Sequence, residues 1–166
     1  AKTLGDGEKF GVELNYVDQS ETLGIAHALG KLEPYIKSPF MLFLGDIFFS
    51  TNNLIEMVEL FYKSNLNSVL AVKEDENEEA IKRNFAVILN EESTYVRRVI
   101  EKPRYVSNTI KGCGLYLFDL NIFDAIRRTP RTAMRDEYEI TEAIQILIDH
   151  ECKVGISDVI LEDLNL

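Results

Sequence analysis

The chain has 166 residues, enough for one domain with a sizeable core and too few for two. Its 18 basic and 28 acidic residues leave a formal charge of −10, which excludes a general binder of nucleic-acid backbones; any phosphate it handles must meet a few focused cations or a metal. No apolar run approaches the ~20 residues of a membrane-spanning helix, no leader is visible ahead of the first strand, and two isolated cysteines, Cys113 and Cys152, read as free thiols of a reducing, cytoplasmic compartment.

Taken in chain order, Gly11–Val17 alternates moderately and predicts a strand, and Ser20–Leu32 predicts a helix with Leu23, Ala26, His27 and Leu29 near one face. Phe40–Leu44 is a short continuous apolar run ending at Gly45-Asp46, the pattern of a strand buried on both faces of a parallel sheet. Asn53 with Glu56 predicts a capped helix to about Lys63, with Leu54, Met57, Val58, Phe61 and Tyr62 at helical spacing. Ser68–Val72 is a strand, and the acidic stretch Lys73–Glu79 a solvated loop.

Phe85–Leu89 and Tyr95–Ile100 read as paired strands, followed by a strand over Gly112–Phe118 and a short helix capped by Asn121 and ending at Arg128. Ile140, Ile144, Leu147 and Ile148 form an apolar helical stripe, and Lys153–Ile156 predicts a last strand. Strands alternating with helices imply a single α/β domain over 1–166, its sheet mostly parallel, with an antiparallel insertion around residues 84–118.

In open α/β sheets ligands collect beyond the carboxyl ends of the strands. Asp46 stands at such an end, where a hard oxygen ligand suits Mg²⁺; an Asp that merely starts a turn is the plainer alternative. Val99-Ile100-Glu101-Lys102-Pro103 places a lysine before proline, which predicts an extended Lys102 offering a point charge, although such Glu-Lys pairs are common on surfaces. Gln19, between strand and helix, has an amide able to donate to and accept from a base edge, and Gly24 early in a helix suggests close backbone approach.

Five ordered stretches carry a resemblance: Gln19 with Gly24-Ile25-Ala26-His27-Ala28-Leu29, Phe40–Asp46, Val99–Pro103, Gly114–Asp119, and Glu137–Ile144. Together they resemble the sugar-1-phosphate nucleotidylyltransferases, of the glucose-1-phosphate thymidylyltransferase and uridylyltransferase kind, over nearly the whole chain. The resemblance implies a Rossmann-like nucleotide-diphospho-sugar transferase fold with helices on both faces of the sheet. It implies transfer of a nucleotidyl group from dTTP or UTP to a sugar 1-phosphate, glucose 1-phosphate first, with release of pyrophosphate and no protein nucleophile. In that resemblance Asp46 is the Mg²⁺ ligand and Asp158 its second carboxylate. Gln19 and Gly24 meet the base, Glu101 the sugar hydroxyls, Lys102 the sugar phosphate, and Ala86 and Gly114 line the sugar pocket. A homo-oligomer is implied, with neither nucleic acid nor membrane as partner.

Departures accompany it. The family's Gly-rich, Arg- and Lys-bearing loop has no match ahead of Gln19, where Gly5-Asp6-Gly7 resembles a later turn of the family. The domain therefore reads as incomplete at its N-terminus, with central strands missing and apolar edges exposed. Ile47 stands where Asn is usual, Ala86 where Gly is usual, and Gly112-Cys113 replaces a more polar pair. Leu161–Leu164 resembles the start of the family's last helix. A non-catalytic binding module and a glycosyltransferase are the competing readings; the latter lacks an Asp-x-Asp after the Phe40 strand.

Overall fold

The computed structural model describes residues 3–92, 94–133 and 135–165. Strands β1 (Phe40–Phe43), β3 (Ser68–Glu74), β4 (Phe85–Leu89), β5 (Val96–Glu101), β6 (Ile110–Phe118) and β7 (Val154–Ser157) form one sheet in the order β5-β4-β6-β3-β7, with β1 also paired to β6. Strands β3 and β7 pair in parallel, while β6 runs antiparallel to β1, β3 and β4. Thus β1, β3 and β7 share a direction and β4–β6 are the antiparallel insertion expected around 84–118, but among the described residues only β3 and β7 pair in parallel, so the sheet is mixed where a mostly parallel one was expected. A separate ribbon pairs β2 (Ile47–Thr51) with β8 (Ile160–Asn165).

Alternation along the central strands sends successive side chains to opposite faces. Leu70, Val72, Tyr116 and Phe118 pack with Ala26 and Leu29 of α1 (Ile25–Gly30), Ile122 and Phe123 of α4 (Asn121–Arg128), and Ile144 and Leu147 of α5 (Ile140–Asp149). On the other face Val69, Ala71, Cys113, Leu115 and Leu117 meet Met57 and Phe61 of α2 (Leu54–Lys63), together with Val159 and Ile160. Each face is thus covered, and burying these side chains is the main term that favours the fold.

Several expectations need correction. Residues 11–17 form no strand, and the helix predicted over 20–32 is confined to Ile25–Gly30, because Gly24 adopts φ +97° and cannot continue a helix from its N-terminal side. The run Phe40–Leu44 is only half-buried, and Phe43 is 47% exposed, since among the described residues β1 has a strand on one side alone. Asn53 does cap α2, its side chain accepting from Ile55 N. Asn121 does not cap α4; Asp119 accepts from Asn121 N at 2.9 Å.

The acidic stretch is likewise more ordered than a solvated loop. Strand β3 runs on to Glu74, and Asn77 caps a short helix α3 (Glu78–Arg83) whose Ile81 is buried. Leu161–Leu164 lies within strand β8 rather than a helix. Its partner is β2, and an extended pairing removes the backbone groups that a first helical turn would leave open.

Candidate active site

The site is built around a bulge in β6. Leu70 faces Tyr116 and Val72 faces Gly112, so β6 carries extra residues between those pairs. Gly114 within the bulge has φ +70°, and a Cβ there would come 2.4 Å from Ile47 Cδ1 and 3.1 Å from Leu44 Cδ1. Its carbonyl accepts from Leu44 N at 3.1 Å. The glycine therefore lets the end of β1 close onto β6, which aims the following turn, Gly45-Asp46, at a cleft.

That cleft has a volume of about 340 Å³. Asp46, Glu101, Lys102 and Gly114 all line it, joined by Arg83, Asn84, Phe85, Arg135, Glu137 and Glu139 around a floor that includes Tyr116. Asp46 is exposed, and no side-chain hydrogen bond or ion pair to it occurs among the described residues. Lys102 enters from the end of β5, but not in the extended form expected before proline: its φ is +40°. The Lys102 amide donates to Asn84 O at 2.8 Å, which prolongs the β4–β5 ladder by one step before the chain turns away towards the buried Pro103. A non-glycine residue held at positive φ is strained, and such strain gathers at functional sites.

Glu101 is half-buried beside Lys102. Its Oε2 accepts from Thr141 Oγ1 at 3.1 Å. Burial, reinforced by the Glu139 carboxylate, holds the Glu101 carboxyl above its ordinary value against the opposing pull of Thr141, Lys102 and Arg135. Glu139 is buried too and pairs with Arg135 at 3.4 Å. Tyr116 is 1% exposed, and burial pushes its phenol up, so it stays neutral. Cys113, on the other face of β6, is pushed up to about 12 mainly by burial, and burial also raises Cys152; neither thiol is an activated nucleophile.

The remaining sequence-expected residues lie elsewhere. Gln19 is not part of the cleft lining: its amide donates to His27 Nδ1 at 2.8 Å and to Gly24 O at 3.4 Å. Gly24 serves a close approach, but of protein to protein. A Cβ there would be 2.6 Å from Tyr138 O, and the contact is sewn by Ala26 N to Tyr138 O and Tyr138 N to Leu23 O. This contact brings Glu137, Glu139 and Ile140 to the cleft beside Ile25.

Ala86 is 1% exposed within the sheet, and its neighbours Asn84 and Phe85 take the lining positions. Asp158 precedes Val159, whose carbonyl accepts from Asn52 N, so it stands at the far end of β2 from Asp46. Among the described residues no group of three His, Cys, Asp or Glu side chains is placed to hold a metal.

Sequence reasoning missed Arg83, Arg135 and Glu139. Arg135 stood two residues ahead of a quoted stretch, and Glu139 within it, so their proximity was available. Arg83 lies beyond the Lys73–Glu79 stretch and belongs to no motif of its own.

The profile of the Nucleotidyl transferase family matches residues 1–158. The chain belongs to that family. Among curated relatives, it is 35% identical over 143 residues to the UTP–glucose-1-phosphate uridylyltransferase AglF of Haloferax volcanii, covering 86% of this chain and 57% of the relative. It is 33% identical over 147 residues to the low-salt glycan biosynthesis nucleotidyltransferase Agl11 of the same organism, covering 88% and 40%. A glucose-1-phosphate thymidylyltransferase of Streptomyces antibioticus is 31% identical over 150 residues, covering 90% and 41%.

This member of the Nucleotidyl transferase family thus spans roughly half the length of these relatives or less. Its fold matches a candidate glucose-1-phosphate thymidylyltransferase of Bacillus anthracis, solved with sucrose, with a TM-score of 0.83 at 23% identity, covering 99% of this chain and 64% of that one. A UDP-glucose pyrophosphorylase solved with UDP-glucose gives 0.75 at 23% identity, covering 87% and 58%. Among the described residues no helix is long and apolar enough to cross a membrane.

Proposed function

We propose that this cleft serves transfer of a nucleotidyl group from a nucleoside triphosphate, dTTP or UTP, to a sugar 1-phosphate, with glucose 1-phosphate the first choice. The observation that carries the reading is the meeting of Asp46 and Lys102, groups of opposite charge from different strand ends and without ion-pair partners among the described residues, in one cleft. The names of the relatives supply the substrate classes. In this reaction an oxygen of the sugar phosphate attacks the α-phosphorus, the bond from that phosphorus to the bridging oxygen breaks, and pyrophosphate leaves.

The residues present fit a Mg²⁺ ion that arrives with phosphates. Mg²⁺ commonly takes one or two protein carboxylates and completes its shell with water and phosphate oxygens, and the free Asp46 carboxylate suits that role. Such an ion supplies neutralisation of charge on the phosphate oxygens. Lys102 holds the sugar phosphate, and Glu101 accepts from sugar hydroxyls while Thr141 fixes its orientation. Positioning and charge then carry the rate, with no group on the protein required to form a covalent bond. A non-catalytic module has no use for an exposed carboxylate and a strained lysine facing one cleft.

The test offers the chain a panel of nucleoside triphosphates and sugar 1-phosphates with Mg²⁺ and records pyrophosphate release. Asp46→Asn and Lys102→Ala should each lose ~10²-fold or more. Equal rates in wild type and both variants would overturn the reading, and substrate binding without turnover in the wild type would favour a binding module.

A further inference from the structure

Resting on that reading, we propose that Arg83 is a second phosphate-binding cation of the cleft, its guanidinium fork gripping a phosphate group alongside the Lys102 ammonium. Arg83 is the last residue of α3 and lines the cleft with Asp46 and Lys102. Its backbone is fixed from both sides. Asn84 N donates to Ile81 O at 3.0 Å, Asn84 Nδ2 donates to Ala80 O at 2.9 Å, and Asn84 O receives the Lys102 amide at 2.8 Å. Arg83 and Lys102 therefore hang from backbone segments that are bonded to each other, one residue away from the bond in the case of Arg83.

The charges around Arg83 point the same way. Its neighbour Lys82 is neutralised by Glu79 at 2.9 Å and Glu78 at 3.5 Å. Glu79, one turn before Arg83, is thereby already engaged. Within the cleft, Arg135 is bound to Glu139 and lies 3.9 Å from Glu137, and Glu101 is held by Thr141. Neither Arg83 nor Lys102 takes part in an ion pair among the described residues. In a chain of net charge −10, two cations left without carboxylate partners share one concavity. A guanidinium presents parallel donors that match two phosphate oxygens, whereas an ammonium acts as a point charge, so the pair combines orientation with attraction.

The phosphate has two sources, the sugar 1-phosphate and the phosphates of the nucleotide, and calorimetric titration with glucose 1-phosphate and with inorganic pyrophosphate, each with Mg²⁺, separates them. Arg83→Gln should weaken binding of at least one of the two about tenfold, while Lys82→Gln, which removes the same charge one residue away, leaves both unchanged. Arg83→Lys should recover only part of the loss. A deficit confined to glucose 1-phosphate assigns Arg83 to the sugar's phosphate, and one confined to pyrophosphate assigns it to the nucleotide's. Wild-type affinity for both ligands in Arg83→Gln, an equal loss in Lys82→Gln, or full recovery in Arg83→Lys would overturn the proposal. If the wild type transfers nucleotidyl groups and Arg83→Gln does so with unchanged KM values, Arg83 alone is misassigned; if the wild type binds neither ligand, the reading of the whole cleft falls.

Discussion

Thr141, in the first turn of α5, donates its hydroxyl to Glu101 at the end of β5 across 3.1 Å, and this bond sets the carboxylate against the charge of Glu139. The Glu101 carboxyl is held above the ordinary glutamate value of 4.5, first by burial and then by Glu139. A carboxyl raised in the folded state favours the proton there, so its ionisation detracts from stability as pH rises through the folded value. Glu101→Gln mimics the protonated form and can still accept from Thr141. Its Tm should exceed that of wild type at pH 7 to 8, and the difference should shrink to nothing as pH falls below about 4.5. The same variant should bind glucose 1-phosphate about tenfold more weakly, the order expected for a lost hydrogen bond to a charged acceptor. A Tm difference independent of pH would contradict the account.

The bulge glycine makes a second case. Gly114 combines φ +70° with a projected Cβ 2.4 Å from Ile47 Cδ1. The left-handed conformation alone costs about 1–2 kcal/mol for a residue with a Cβ, and the Ile47 side chain must also move. Gly114→Ala should therefore unfold at lower denaturant and lose nucleotidyl transfer, because the turn carrying Asp46 shifts with Leu44. Ile47→Val removes the clashing methyl, so the double variant should regain the steric part of the stability and not the conformational part. Simple additivity of the two substitutions in chemical denaturation would show that Ile47 is not the obstacle.

These residues also show what the sequence could reveal. Asp46 and Lys102 each follow an apolar run, so hydrophobic patterning sets them at strand ends, while Glu101 and Gly114 are singled out by the family resemblance; the structure puts all four in one cleft. The strands β3 and β6 were legible as apolar runs but their faces were not, since apolar side chains stand on both sides of each. What could not be read depends on tertiary partners. Strand β8 becomes a strand by pairing with β2, although Leu161-Glu162-Asp163-Leu164 alone is compatible with a helix. The positive φ of Lys102 accompanies a bond to Asn84, 18 positions earlier, which local preference before proline does not anticipate. Gln19 was legible as a polar residue at a junction, but its engagement by His27 was not.

Lys111 and Asp163 tie that unforeseen strand to the sheet. Lys111 Nζ donates to both Asp163 oxygens at 2.9 Å and lies 3.3 Å from Asp75, with the Lys111 and Asp163 side chains each 5% exposed. Burial alone would lower the Lys111 ammonium, yet the Asp163 bond and charge outweigh it and the net shift is upwards. Removing one partner of a buried pair strands the other charge, at a cost of about 3–5 kcal/mol. Lys111→Met should be destabilised by that order in urea unfolding, whereas Lys111→Met with Asp163→Leu should recover most of the loss. The contribution of the raised Lys111 is lost only as pH climbs through its folded value, so stability between pH 6 and 9 should be insensitive to this pair. A double variant no more stable than the single one would show that the pair, and not the stranded charge, is what matters.

The two charged groups that line the cleft at Asp46 and Lys102 should fail in different ways. On the proposed function Asp46 is the carboxylate that would take Mg²⁺, and Lys102 a cation that would meet a phosphate without the metal. Asp46→Asn keeps the size and leaves an amide oxygen, so activity should persist at a low level and climb with Mg²⁺, the half-saturating concentration rising about tenfold or more. Lys102→Ala should leave that concentration near the wild-type value and instead raise the KM for glucose 1-phosphate. Both groups reach the cleft without a salt-bridge partner among the described residues, so neither substitution strands an opposite charge, and thermal unfolding should shift little in either variant. Titrating Mg²⁺ against each variant separates the roles: a rise in half-saturation for Lys102→Ala equal to that for Asp46→Asn would mean that the two groups act on one and the same ligand.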